Sequence, residues 1–155
     1  MKKLIQFSLI LLPFLGLAQV GIGTLTPLST LDINGNVSFK VVNIDGRNLA
    51  NMAQINDGFY LNLRPNNGGA NNGNDFILPN AVLVPGRMYI LRNVQNCDDA
   101  YIYSTGPSLL FAGNSRTASA QPITMGSDCG NNGSVTKTLI FMSDGLNWTY
   151  GPYGF

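Results

Sequence analysis

The sequence predicts an all-β fold, an antiparallel β-sandwich or barrel preceded by a short β segment, and three observations carry that prediction. Strong helix formers are scarce: the 155 residues include no Glu, whereas Gly, with 18 copies, and Asn recur throughout. From Asp75 onward, short apolar runs return at close, even spacing, as they do in sandwiches and barrels. Residues 138–150 then set two such runs on either side of Asp144-Gly145. That dipeptide suits a tight type I′ turn, whose two central residues both need φ > 0. On the arms of this hairpin Ile140 and Met142 alternate with Leu139 and Phe141, and Trp148 shares a face with Tyr150. Large side chains on both faces place the hairpin in the interior of a sheet.

Taken in order, residues 1–18 read as a signal peptide. Lys2 and Lys3 supply the positive start, an apolar stretch follows, and Gly16-Leu17-Ala18 offers small residues for cleavage before Gln19. The apolar run is about 14 residues long and is broken by Gln6, Ser8 and Pro13, short of the roughly 20 that a membrane-spanning helix needs. The expected destination is outside the inner membrane, secreted or on the cell surface, with no membrane insertion after cleavage. Of the nine Lys and Arg, seven remain beyond Lys3, against eight acidic residues, and neither sign is clustered. Nucleic acid and anionic membrane surfaces are therefore poor partners.

Residues 19–57 read as an N-terminal segment and 58–155 as the β-sandwich domain. Between 20 and 37, short apolar pairs alternate with Gly, Pro and Asn-Gly, a pattern that no helix tolerates. Gly21-Ile22-Gly23-Thr24, Thr26-Pro27 and Leu31-Asp32-Ile33-Asn34-Gly35 resemble an element of secreted, phage tail-fibre-like proteins of Gram-negative bacteria. The resemblance implies an elongated β-rich assembly, usually a trimer, and no catalytic role. So short a segment cannot by itself bury Val20, Ile22, Leu25, Leu28, Leu31 and Ile33, which makes them the candidate oligomer contacts, against the downstream domain or against other copies. Residues 38–44 continue as a strand, 47–56 suggest one helical turn with Leu49, Met52 and Ile55 inward, and 58–63 read as a strand with Phe59, Leu61 and Leu63 on one face.

The Asn- and Gly-rich stretch 65–74 reads as a loop; it lacks the Lys and the following helix of a phosphate cradle. Strands are expected near 76–78, 87–94, 100–104, 108–111 and 123, before the closing hairpin. Leu78-Pro79, Pro85-Gly86-Arg87-Met88-Tyr89-Ile90-Leu91-Arg92-Asn93 and Ser143-Asp144-Gly145-Leu146-Asn147-Trp148 resemble a second module of the same tail-fibre-like and surface proteins, in which these residues look like determinants of the fold.

Cys97 and Cys129, the only two cysteines, are expected to form a disulfide in an exported chain. Closing such a loop contributes on the order of 3–4 kcal/mol. The bridge would bring Asp98 and Asp99 near Asp128, with Asn96, Asn131 and Asn132 close by, a set of oxygens suited to a structural calcium ion; the alternative is that these residues are solvated or make turns. No other cofactor is indicated. With neither His nor Glu, and with the adjacent Asp98 and Asp99 sent to opposite faces of any strand, no enzyme is expected. Tyr101 and Tyr103 share a strand face, and Tyr150 and Tyr153 lie near the C-terminus; exposed rings of this kind stack on sugars, or else cover sheet faces and subunit contacts. Two functions follow as expectations: a self-associating structural or adhesive surface protein, or a carbohydrate-binding module. The partners they imply are further copies of the chain and a cell-surface glycan or protein.

Overall fold

The computed structural model describes residues 19–66, 68, 72–129 and 136–153, so the signal-peptide reading of 1–18 lies outside the described residues. The chain divides into two units, Met1–Ser38 and Phe39–Phe155. Residues 39–57, expected to belong with the N-terminal segment, are part of the second unit, because their strands pair with strands further along the chain.

In the first unit, β1 (Val20–Ile22) and β2 (Leu31–Ile33) pair in parallel, with Val20 opposite Leu31 and Ile22 opposite Ile33. Residues 23–30 bring the chain back in a tight crossover. Glycine is required there: Gly23 has φ of 71°, and a Cβ on it would lie 2.6 Å from the Asn34 carbonyl oxygen. The Asp32 carboxylate fastens the crossover by accepting from the Leu28 N–H at 2.8 Å. None of residues 19–38 is buried.

The second unit is a coil of strands closed by a hairpin. β3 (Val41–Asp45), β5 (Tyr60–Arg64) and β7 (Met88–Asn93) lie in one sheet. β4 (Ala53–Gln54), β6 (Asp75–Leu78) and β8 (Ala100–Ser104) lie in a second. The chain crosses from one sheet to the other after every one of these strands, so each turn of the coil sets its strand parallel to that of the turn before. Parallel register stacks like positions: Val42, Leu61 and Leu91 form one inward row, and Ala53, Phe76 and Ile102 face it from the second sheet. Two short 3-10 turns, Leu49–Asn51 and Ala81–Leu83, lie on the crossovers. No described helix is long and apolar enough to cross a membrane.

β9 (Leu110–Ala112), β10 (Ile123–Met125), β11 (Thr138–Ser143) and β12 (Trp148–Pro152) end the coil. The larger sheet runs β3-β5-β7-β11-β12-β9 and the smaller β10-β8-β6-β4. The all-β sandwich is as expected, but its pairing is mixed rather than antiparallel. β11 runs antiparallel to β7 and β12, and β10 to β8, whereas β12 and β9 are parallel. The core between the sheets contains fully buried Leu61, Leu63, Phe76, Leu91, Phe141 and Trp148. Burial of each such side chain is worth about 1.5–3 kcal/mol.

The hairpin does sit inside its sheet, yet only one of its faces is buried: Leu139, Phe141 and Trp148 point to the core, while Met142 remains 47 % exposed. Its turn is not type I′. Ser143 pairs with Trp148 and leaves four loop residues, in which Gly145 has φ of 91° and Asp144 does not have positive φ. The Asp144 carboxylate instead accepts from the backbone N–H groups of Leu146 and Asn147, at 2.8 and 2.7 Å, and closes a longer turn. These two hydrogen bonds, the Asn147 one first, lower the Asp144 pKa below its ordinary value.

Candidate functional site

The four-stranded sheet presents an aromatic cleft on its outer face, and strand register builds it. Phe76 and Ile102 point into the core, so the alternate positions Asp75, Tyr101 and Tyr103 point out. Parallel pairing of β6 with β8 sets Asp75 beside Tyr101 and Ile77 beside Tyr103. Two positions apart on one strand, the tyrosines stand about 7 Å from one another along the sheet. The cleft is about 400 Å³ in volume, and its lining includes Tyr101, Tyr103, Asp75, Asn74, Asn48 and Pro122.

Its rim comes from two crossovers. Asn48 accepts from the Asn51 N–H at 3.2 Å and starts the 3-10 turn, and the Asp75 N–H donates to the Arg47 carbonyl at 3.0 Å, drawing that turn against β6. Gly73 permits the approach: a Cβ on it would lie 2.8 Å from the Asn48 Cα. On the other side Gln121 grips β8, accepting from the Ser104 N–H and donating to the Ser104 hydroxyl, both at 2.9 Å, which sets the neighbouring Pro122 on the rim. Asn74 is buried, and its side-chain oxygen has no hydrogen-bond partner among the described residues. Burial, and then the Asp75 carboxylate beside it, raise the Tyr103 phenol above the ordinary tyrosine value.

The structure separates the four tyrosines named from the sequence. Tyr101 and Tyr103 share the cleft, whereas Tyr150 and Tyr153 belong to the closing hairpin of the other sheet. Tyr150 is committed to packing: its ring stacks on Phe141 with centroids 5.5 Å apart, and its hydroxyl lies 2.9 Å from the Ser119 hydroxyl. The Tyr153 backbone N–H donates to the Thr138 carbonyl at 3.2 Å. Sequence reasoning missed Asp75, Asn74 and Asn48, which it left at a strand start, in a loop and in a helical turn.

Cys97 and Cys129 form the expected disulfide, with Cα atoms 4.4 Å apart. The carboxylates near it are engaged with protein groups. Asp128 pairs with Lys137, whose ammonium also donates to the Gln95 carbonyl at 2.9 Å, and the Asp99 carboxylate accepts from the Ser127 N–H at 2.6 Å. The Lys137 hydrogen bond holds the Asp128 carboxyl below its ordinary pKa. Asp98 contributes its backbone carbonyl, which accepts from the buried Asn93 amide at 2.8 Å. Asn131 and Asn132 lie outside the described residues. Among the described residues, no three acidic or cysteine side chains are gathered as a metal site requires, so the expected convergence of Asp98, Asp99 and Asp128 is not seen.

The N-terminal candidates are exposed. Leu25 is fully exposed and Leu28 94 % exposed, Val20, Ile22 and Leu31 are each more than half exposed, and Ile33 is half-buried. No family model, curated protein or solved structure matches the chain, and the tail-fibre resemblance rests on its motif residues alone.

Proposed function

We propose that this chain is an exported, non-enzymatic surface protein that self-associates through its N-terminal unit and serves a structural or adhesive role, tail-fibre-like in organisation. One observation carries the reading: the described residues of the first unit, 19–38, expose Val20, Ile22, Leu25, Leu28 and Leu31, and none of them is buried. Apolar surface concentrated on a short segment marks an interaction site, and a symmetric homo-oligomer covers it with further copies of the same segment. The motif resemblance makes a trimer the expected state. The residue set agrees with a role without catalysis, since His and Glu are both absent. Light scattering on residues 19–155, beside a chain lacking 19–38, tests the proposal. An oligomer that becomes a monomer on truncation supports it, and a monomer in both cases removes it.

A second reading, a secreted carbohydrate-binding module, is favoured by the cleft. Paired outward tyrosines beside a carboxylate and side-chain amides are the kind of lining that sugars meet. The two readings are compatible, because an adhesive assembly needs both a means of assembly and a surface that grips.

A further inference from the structure

We infer that the cleft on the four-stranded sheet is a binding site for a neutral pyranose of a glycan, with Tyr101 and Tyr103 receiving the apolar face of the sugar and Asp75 and Asn48 taking its hydroxyls. This deepens the carbohydrate-binding reading and rests on it, while self-association is a separate property.

Three features select this ligand class. Asp75 is the one charged side chain among the described residues that line the cleft. A lone carboxylate accepts hydrogen bonds from hydroxyls and repels phosphate, sulfate and sugar acids, so nucleotides and acidic glycans are disfavoured. The rings come next. Tyr101 and Tyr103 keep part of their surface in the cleft, and a tyrosine offers apolar area with little conformational entropy to lose, which suits the C–H face of a pyranose. The third feature is the complement of hydrogen-bonding groups. The side-chain amides of Asn48 and Asn72, each with a donor and an acceptor, line the cleft beside Asp75. The cleft is open to solvent, and its volume of about 400 Å³ leaves room for a sugar ring on the two tyrosines.

The mature chain, residues 19–155, is titrated with glucose, galactose, mannose, N-acetylglucosamine and their β-linked disaccharides, followed by amide NMR shifts, with glucuronic acid and N-acetylneuraminic acid as anionic probes. At least one neutral sugar is expected to move the resonances of Asn74, Asp75, Tyr101 and Tyr103. Tyr101→Ala and Tyr103→Ala are each expected to weaken it by about tenfold. Asp75→Asn, which preserves size, is expected to weaken it and to relax the discrimination against the acids, while Tyr103→Phe, which keeps the ring, retains most of the affinity. Tyr153→Ala is expected to change nothing. Melting curves confirm that each variant is folded, and Asp75→Asn and Tyr103→Phe carry the test if an alanine variant is not. The inference is overturned if no neutral sugar binds at about 20 mM, if the bound sugar shifts residues elsewhere, or if the acids bind as well as the neutral sugars. Sugar binding by a monomer removes only the self-association proposal, and an oligomer that binds none of these sugars removes only this one.

Discussion

Residues 19–38 and residues 39–153 are built with the same local devices, yet only the second acquires an interior. Each pairs strands in parallel and places glycine where backbones approach closely: Gly23 against Asn34 in the first, Gly73 against Asn48 in the second. In the second unit the chain crosses to an opposing sheet after each strand of the coil, so Leu61 and Leu91 meet Phe76 and Ile102 in the core between the sheets. In the first, β1 and β2 form a single two-stranded sheet, and Val20, Ile22 and Leu31 stay more than half exposed. Alternating apolar residues thus specify a strand, but a core requires a second layer to receive them.

The largest expected effect comes from deleting a side chain of the core and comparing it with one of the N-terminal unit. Trp148 is fully buried, packs beside Tyr89 with centroids 5.7 Å apart, and donates its indole N–H to the Pro79 carbonyl at 2.9 Å. Trp148→Ala is expected to destabilise the coil by about 3–5 kcal/mol, read by urea or thermal unfolding. Leu28→Ala removes an aliphatic chain that is 94 % exposed in the single chain and, at protein concentrations low enough to keep the chain monomeric, is expected to shift the same transition by less than about 0.5 kcal/mol. A large effect of Leu28→Ala that grows with protein concentration would locate the missing second layer in another copy of the chain.

A smaller effect is expected in the first unit alone. Gly23→Ala forces a side chain onto φ of 71° and within 2.6 Å of the Asn34 oxygen, a cost of at least about 1 kcal/mol. The parallel pair is held by the Val20 N–H to the Thr30 carbonyl at 2.8 Å and the Asn34 N–H to the Ile22 carbonyl at 2.9 Å. Faster hydrogen exchange at these two amides, with the coil amides unchanged, is the expected result. Equal acceleration in both units would mean that they unfold together.

The same contrast explains what the sequence made legible. Period-two alternation located nearly every strand of the second unit, and a lone cysteine pair in a chain expected to be exported pointed to the Cys97–Cys129 bridge. Alternation is identical for parallel and antiparallel strands, so the coil was not readable from it. Nor was the cleft: Asp75 meets Tyr101 only because β7 intervenes in the other sheet and returns the chain parallel to β6, a register that no local pattern records. The turn at Asp144 was misjudged because its side chain, rather than its φ, closes the loop. Tyr150 was legible: it shares strand parity with buried Trp148, so of the two expectations for its ring, stacking on sugars or covering a sheet face, the second is the one seen.

The smallest expected effect is a pH dependence confined to the coil. Asp128 pairs with Lys137 beside the disulfide, and that hydrogen bond lowers the carboxyl pKa below its ordinary 3.8. A carboxyl with a depressed folded pKa contributes stability that is fully present above the unfolded value and is lost as pH falls through the folded one. Asp128→Asn should therefore lower the melting temperature slightly at pH 6, and the difference from the wild-type chain should shrink as pH falls below about 4. The first unit offers no counterpart to this pair: its one described acidic residue, Asp32, accepts from the Leu28 backbone N–H. The exchange rates of Val20 and Asn34 should accordingly be the same in wild type and Asp128→Asn at matched pH. A difference there would show that the coil and the N-terminal unit are energetically coupled, and would make the corner around the disulfide a control on assembly.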